Sequence, residues 1–269
     1  MDQLKLIAPV IKNSIESWLE IKAATGNLAS NTRSAYYSDL TDFFKFLAEY
    51  QNETANLLTV ENLKISDIRA WQAKQRTMNS GARSSARKLS SLKSYIRWLS
   101  KHRKFDATHI LSLKSPKFSK KLPRPLEPVE AKAVLTQCES TSTEPWIVAR
   151  DTAVLILLYG CGLRISEALN LRTQEIPLGN SIRITGKGGK VRIVPVLKIA
   201  QNAVNQYVEL CPFKLERDDK IFFGARGKPL SPKVIQNKMK FVRHLLGLPA
   251  TATPHALRHS FATHLLSNG

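Results

Sequence analysis

Cysteine is scarce in this sequence. Cys138, Cys161 and Cys211 are odd in number and far apart, so they form no disulfide framework and no zinc spacing. They fit a reducing cytoplasm. Long apolar runs are missing as well. The longest, "TAVLILLYGCG", is interrupted by glycines and falls short of the roughly 18 residues of a membrane span. The opening "MDQLKLIAPVIKNSIESW" has no charged region followed by an apolar stretch and a cleavage site, so no signal peptide is expected. There is no internal repeat and no long low-complexity segment. These absences exclude disulfide-rich secreted, zinc-finger and membrane-spanning classes. They predict a cytoplasmic protein with no membrane partner.

Acidic residues are the other shortage. The chain has 21 Asp and Glu against 41 Lys and Arg, a net charge of +20 with a pI near 10.1. Such an excess draws a protein to polyanions, above all nucleic acid. A ribosome-associated or membrane-surface protein is the plainer alternative that composition leaves open. An apolar fraction of 43% is enough for real cores. The length predicts about two domains, at roughly 100–200 residues each.

Residues 1–111 read as helices. "PVIKNSIESWLEIK" puts Val10, Ile11, Ile15, Trp18 and Leu19 on one stripe. "SNTRSAYYSDLTDFFKFLAEY" opens with the capping residues Ser30, Asn31 and Thr32 and continues Tyr36, Leu40, Phe43, Phe44, Leu47. "ISDIRAWQAKQ" offers Ser66 as a cap. "GARSSARKLSSLKSYIRWLSKHRKF" lines up Ala86, Leu89, Leu92, Ile96 and Leu99. Four main helices predict a small bundle. The other face of the fourth helix carries Arg83, Arg87, Lys88, Lys93 and Arg97. On an ordinary protein this is a solvated face. Here it lies among serines with almost no acid to balance it, so phosphate contact is expected, with Arg83, Arg87 and Lys88 as DNA-binding candidates.

Residues 112–125, around "SLKSPKFSKKLPRP", combine prolines and lysines without periodicity and read as a basic linker. Residues 126–269 form the second domain. "EPVEAKAVLTQ" and "EPWIVARDTAVLILLYG" look helical, the latter buried on most sides. "SIRITGKGGKVRIVPV" holds two alternating β-rich runs around a Gly186-Lys187-Gly188-Gly189 turn, a hairpin signature. Helices resume with "IAQNAVNQYVEL", "SPKVIQNKMKFVRHLLG" and "PHALRHSFATHLL". The class is mainly α with a small antiparallel sheet.

Three places carry chemistry. In "YGCGLRISEALNL" a buried helix ends, glycines turn the chain, and a new helix begins near Leu163. Arg164 then sits at a helix start that favours an anion, with Glu167 three residues on to orient it. An ordinary Arg–Glu surface pair is the bland alternative. Lys187 sits at the hairpin tip, where a solvated turn lysine is the bland alternative. The glycines there make no Walker loop. In the closing helix His255 and Arg258 are three apart and share a face. His255 and His259 are four apart, which suits zinc, but Ala256 stands where the zincin pattern needs Glu. Phosphate fits a His–Arg pair better: arginine gives a two-pronged donor and histidine moves a proton near neutral pH.

In order and spacing, Arg164 in "GCGLRISEAL", Lys187 in "ITGKGGKVRIVPV", and His255 and Arg258 in "HALRHSFATHLL" resemble the tyrosine recombinases of the phage integrase family, nearest the Xer group. "NTRSAYYSDLTDFFKFL" and "ARSSARKLSSLKSYIRWL" also resemble the family's N-terminal domain, so the likeness covers nearly the whole chain. It implies a four-helix SAM-like core-binding domain followed by a mixed α/β catalytic domain. It implies an enzyme that cuts and rejoins double-stranded DNA through a 3′-phosphotyrosine link. By that resemblance Arg164 and Arg258 cradle the phosphate with support from Glu167, Lys187 protonates the leaving 5′-oxygen, and His255 exchanges a proton with the nucleophile. No cofactor is implied, neither metal nor ATP. The implied partners are a recombination site, other recombinase subunits in a tetramer, a second Xer-type recombinase and a DNA translocase, in chromosome dimer resolution at cell division.

In the family, the helix holding this His-x-x-Arg motif is followed by a segment with another His or Trp and then the nucleophilic tyrosine. None of Tyr36, Tyr37, Tyr50, Tyr95, Tyr159 and Tyr207 lies downstream of Arg258. The expectation is a C-terminally truncated catalytic domain that binds DNA without cleaving it. A phage, integron or transposon integrase, and a DNA-binding module without catalysis, are the alternatives.

Overall fold

The computed structural model describes residues 6–26, 28, 30–116, 125–140, 144–186 and 189–267. It divides into two compact units, Met1–Lys120 and Lys121–Gly269. The division falls inside the stretch read as a linker, of which residues 117–124 lie outside the described residues.

In the first unit α1 (Pro9–Ala24) starts on a proline, which suits a first helical position. It is followed by α2 (Ser30–Gln51), the short α3 (Leu57–Glu61), α4 (Ile65–Thr77), α5 (Ala82–Arg103) and the single turn α6 (Thr108–Leu111). The predicted four main helices are α1, α2, α4 and α5. α2 packs against α1, α4 and α5. Between them lie Trp18, Leu40, Phe43, Phe44, Trp71, Leu92 and Tyr95, all buried. The rings meet edge to face, Phe43 on Trp71 at 4.9 Å and Trp18 on Tyr95 at 5.7 Å, the arrangement that aromatic quadrupoles favour. α4 is not capped by Ser66 as its type suggested. The cap position is Lys64, two residues earlier, and buried Asp67 takes the Lys64 N–H at 2.9 Å. A carboxylate in the first turn satisfies an orphan donor and suits the dipole, so it outcompetes the hydroxyl.

The second unit contains α7 (Pro128–Glu139), α8 (Pro145–Gly160), α9 (Ile165–Ala168), a 3₁₀ turn at Thr173–Glu175, strands β1 (Ser181–Thr185) and β2 (Val191–Pro195), then α10 (Lys198–Leu210), α11 (Pro232–Leu245) and α12 (Pro254–Ser267). α8 is the central element, packed by α7, α10 and α12, and its run Ala153–Leu158 is buried throughout. That is why its sequence is apolar on nearly every face. Two charges are nonetheless inside it. Arg150 grips Asp151 Oδ1 at 2.9 and 2.7 Å and donates to the Phe223 carbonyl at 3.0 Å, while Lys238 of α11 stands 3.4 Å from Asp151 Oδ2.

β1 and β2 pair antiparallel, with Ile182 opposite Val194 and Ile184 opposite Arg192. Alternation turns Ile182, Ile184 and Val194 into the core and leaves Arg183 and Ile193 outside. Around the turn Gly186 N–H bonds the Lys190 carbonyl at 2.7 Å. Lys187 and Gly188 lie outside the described residues. Among the described residues no helix is long and apolar enough to cross a membrane.

Candidate functional site

A single glycine lets two elements meet. α8 ends at Gly160, and Leu163 N–H reaches back to the Leu157 carbonyl at 3.3 Å. Between them Gly162 has φ +61°, a conformation that L side chains avoid. A Cβ there would also stand 2.5 Å from the Phe261 ring of α12. Leu163 is fully buried and anchors the turn, which throws the next side chain, Arg164, outward.

The helix expected from Leu163 lasts only one turn. After α9 the Leu171 carbonyl accepts from Ile221 N–H at 3.0 Å and Thr173 N–H donates to the Asp219 carbonyl at 3.0 Å, so strand-like pairing replaces further helical bonds. The anion-favouring helix start that the sequence suggested is therefore not available. Arg164 is the N-cap residue, and its own N–H is taken by Glu167 Oε2 at 2.7 Å. Charge on this surface comes from side chains.

Glu167 is the centre of it. Its carboxylate is only 7% exposed and receives three guanidiniums. Arg164 Nη1 donates to Oε1 at 2.8 Å. Arg192 of β2 makes a two-pronged pair, Nη1 to Oε1 at 2.9 Å and Nη2 to Oε2 at 2.7 Å. Arg258 Nη1 reaches Oε2 at 3.4 Å. Burial alone would raise the Glu167 pKa, but the bonds from Arg192 and Arg164 overcome it and pull the carboxyl down to about 2. Three cations on one anion leave a surplus of positive charge at a partly open surface: Arg164 is half exposed and Arg258 is 23% exposed.

α12 presents the remaining groups. Thr253 Oγ1 accepts from Ala256 N–H at 3.3 Å at its start, and Pro254 takes the first turn. Ala256, Leu257 and Ser260 face inward, and Ser260 Oγ accepts from Leu126 N–H at 2.7 Å. That fixes the helix and leaves His255, Arg258 and His259 on the opposite face. The two imidazoles meet Nε2 to Nε2 at 2.9 Å, so one donates and the other accepts. Burial, then His259, Arg258 and Arg164, push the His255 pKa below its usual value. The Arg258 pKa is also lowered, by burial first and by Arg164 next.

Of the expected site residues, the structure thus gathers Arg164, Glu167, His255 and Arg258 on one surface of the second unit. Lys187 lies outside the described residues. Arg192 was not anticipated. The signal was present: in "VRIVP" alternation puts Arg192 on the same side as buried Val194, and a charged residue at an inward position needs a partner. Among the described residues no cluster of three or more His, Cys, Asp or Glu could hold a metal ion.

The expectation that almost no acid balances the basic face of α5 needs correction. Acids do balance it, from α2. Arg87 pairs with buried Asp39. Lys88 Nζ lies 2.8 Å from Asp42 Oδ2 and 2.6 Å from Gln75 Oε1, and its side chain is 18% exposed. Lys93 donates to the Leu113 carbonyl at 2.8 Å. Arg87 and Lys88 join α5 to α2, a use that spacing along one helix does not reveal. Arg83 is exposed at the first turn of α5.

Comparison with known proteins gives the family. The profile of the Phage integrase family matches residues 124–269, and that of the Phage integrase N-terminal SAM-like domain matches residues 15–103. Tyrosine recombinase XerC of Agrobacterium fabrum is 45% identical over 267 residues, covering 99% of this chain and 85% of that protein. The XerC of Rhizobium meliloti is 43% identical over 272 residues, covering 100% and 85%. Among solved structures, XerH site-specific recombinase bound to difH substrate, in a pre-cleavage complex, superposes with a TM-score of 0.71 at 18% identity over 98% of this chain and 81% of its own. A lambda integrase dimer bound to a COC′ core site gives 0.67 at 18% identity, over 93% and 68%. At that identity the structural likeness speaks for the fold.

Proposed function

This chain belongs to the phage integrase family, and on that footing we propose that it is a Xer-type site-specific recombinase, which cuts and rejoins DNA through a 3′-phosphotyrosine intermediate. The carrying observation is the meeting of Arg164 and Arg258, more than ninety positions apart, on the carboxylate of Glu167. Attack of a tyrosine oxygen on the scissile phosphorus gathers negative charge on the two non-bridging oxygens. Arg164 and Arg258 hold that charge, and Glu167 holds them. The P–O5′ bond breaks, and the 5′-oxygen leaves as a hydroxyl after taking a proton, which the family motif assigns to Lys187. His255, kept neutral near pH 7 by its surroundings, accepts the proton of the attacking hydroxyl. Reversal with a 5′-hydroxyl from another duplex completes the exchange. The cations required are side chains.

The six tyrosines make packing contacts. Tyr95 and Tyr207 are fully buried, and burial raises the hydroxyl pKa of Tyr95, Tyr159 and Tyr207, opposite to what a nucleophile needs. Tyr36 stacks on Trp18 and Tyr50 on Phe46.

The substrate is double-stranded DNA carrying a recombination site, held by the second unit's arginines and by the first unit, with Arg83 as one phosphate contact. The partners are further recombinase subunits. Structures of this fold include a lambda integrase tetramer bound to a Holliday junction, and a tetramer on two sites is the corresponding arrangement here. A second Xer-type recombinase and a DNA translocase belong to the same reading, with chromosome dimer resolution as the task.

The test is a nicked duplex from which the freed strand diffuses away, trapping the covalent link on a denaturing gel. The recombinase is expected to form the adduct. Changing Arg164 or Arg258 to Ala should slow adduct formation by about 10²–10³, as loss of an oxyanion donor does. Adduct formation by either variant at the unsubstituted rate would sink the assignment.

A further inference from the structure

Arg192 has no part in the roles given above, yet it makes the strongest contact in the cluster. It takes both oxygens of Glu167, one nitrogen to each. Arg164 and Arg258 are left with one nitrogen each on that carboxylate, at 2.8 and 3.4 Å. Among the described residues their guanidiniums make no other hydrogen bond. The rest of each donor fork points to whatever occupies the surface.

A guanidinium facing an open carboxylate closes on it with two prongs. Arg164 is the group best placed to do so: it lies three residues from Glu167, and its own N–H already rests on Oε2. Glu167 is therefore both an anchor for Arg164 and a competitor with any incoming anion.

We propose that Arg192 is a positioning residue for the recombination reaction: by filling the two-pronged site of Glu167 it keeps the forks of Arg164 and Arg258 turned toward a phosphate. The inference rests on the phosphate-binding reading of this surface. Without Arg192, Arg164 folds onto Glu167 and one phosphate ligand is lost. A lysine in its place restores charge but only as a single point, and does not close the site.

Inorganic sulfate is a suitable probe. Its affinity is read from the sulfate-dependent rise in Tm, with chloride at equal ionic strength as the reference. Arg192→Gln should weaken sulfate binding about tenfold, the value of a charge-assisted hydrogen bond. Arg192→Lys, the gentler change for the fold, should weaken it in the same direction. The Arg192→Gln/Glu167→Gln double variant should bind sulfate more tightly than Arg192→Gln alone, because the competing carboxylate is gone. A merely structural arginine predicts the opposite, since the double change would only add damage. Sulfate binding by both single variants at the unsubstituted affinity overturns the inference, as does a double variant no better than Arg192→Gln. The trapped adduct separates this from the reading it rests on. If the unsubstituted protein forms no adduct on DNA while the sulfate series holds, the recombinase assignment falls and the anion clamp stands.

Discussion

At neutral pH the imidazole of His255 is uncharged in the folded protein. Its folded pKa is depressed by burial and by His259, Arg258 and Arg164, while its unfolded value is about 6.5. The unfolded chain therefore takes up the proton first as pH falls. Stability is expected to decline as pH drops through 6.5 toward the lower folded value, and to be indifferent to this group above that window. An NMR titration of the ring protons should give a midpoint under 6.5; one above it would contradict the proximity of the two arginines. Glu167 acts in the same direction, in a lower pH window. Its carboxyl, held at about 2, stabilises the fold fully above the ordinary carboxylate value of 4.5 and loses that contribution as pH falls from there to about 2. Acid unfolding should shift to higher pH in Arg192→Gln, because the largest favourable contact to the carboxylate is then missing.

The elements place these residues through a few special positions. Gly162 and Gly26 both have positive φ, but only Gly162 is crowded. Gly26→Ala should cost about 1–2 kcal/mol, the backbone strain alone. Gly162→Ala should add overpacking against Phe261, a further cost of about 1–3 kcal/mol, and move α12 with His255 and Arg258. Urea midpoints compare the two, and adduct formation should fail only in the second. The buried Arg150–Asp151 pair makes a similar contrast. Asp151→Ala leaves Arg150 uncompensated inside α8 and should cost about 3–5 kcal/mol, read from the same urea curves.

Which elements form was legible in the sequence, because periodicity is local: α1, α2, α4 and α5 follow their apolar stripes, and β1 and β2 follow their alternation. Arg164, Glu167, His255 and Arg258 were marked as candidates by type and spacing, and the resemblance gave the two arginines as phosphate ligands and His255 as the proton carrier. The unread parts are long-range pairings. Arg192 to Glu167, Lys88 to Asp42 and Arg87 to Asp39 join residues 25 to 48 positions apart, and no spacing rule along one element exposes them. Ser66 failed for a local reason, since Asp67 next to it was the better acceptor.

For the whole molecule the excess of positive charge sets how DNA binding responds to salt. Neutralising phosphates releases condensed counterions, so affinity falls as a power of salt concentration. If about 6–10 phosphates are engaged, affinity should fall by roughly 10³–10⁵ between 50 and 200 mM salt. A nearly flat titration would contradict contact by the basic surfaces. The same measurement tests single cations on α5. Arg83 is exposed at the start of α5, and Arg83→Gln should lower the log–log slope by about one. Lys88 is tied to Asp42 and Gln75. Lys88→Gln should leave the slope nearly unchanged and instead lower the urea midpoint, because Asp42 and Gln75 lose their shared donor. A full unit lost from the slope by Lys88→Gln, with stability intact, would show that this lysine meets phosphate despite its ion pair.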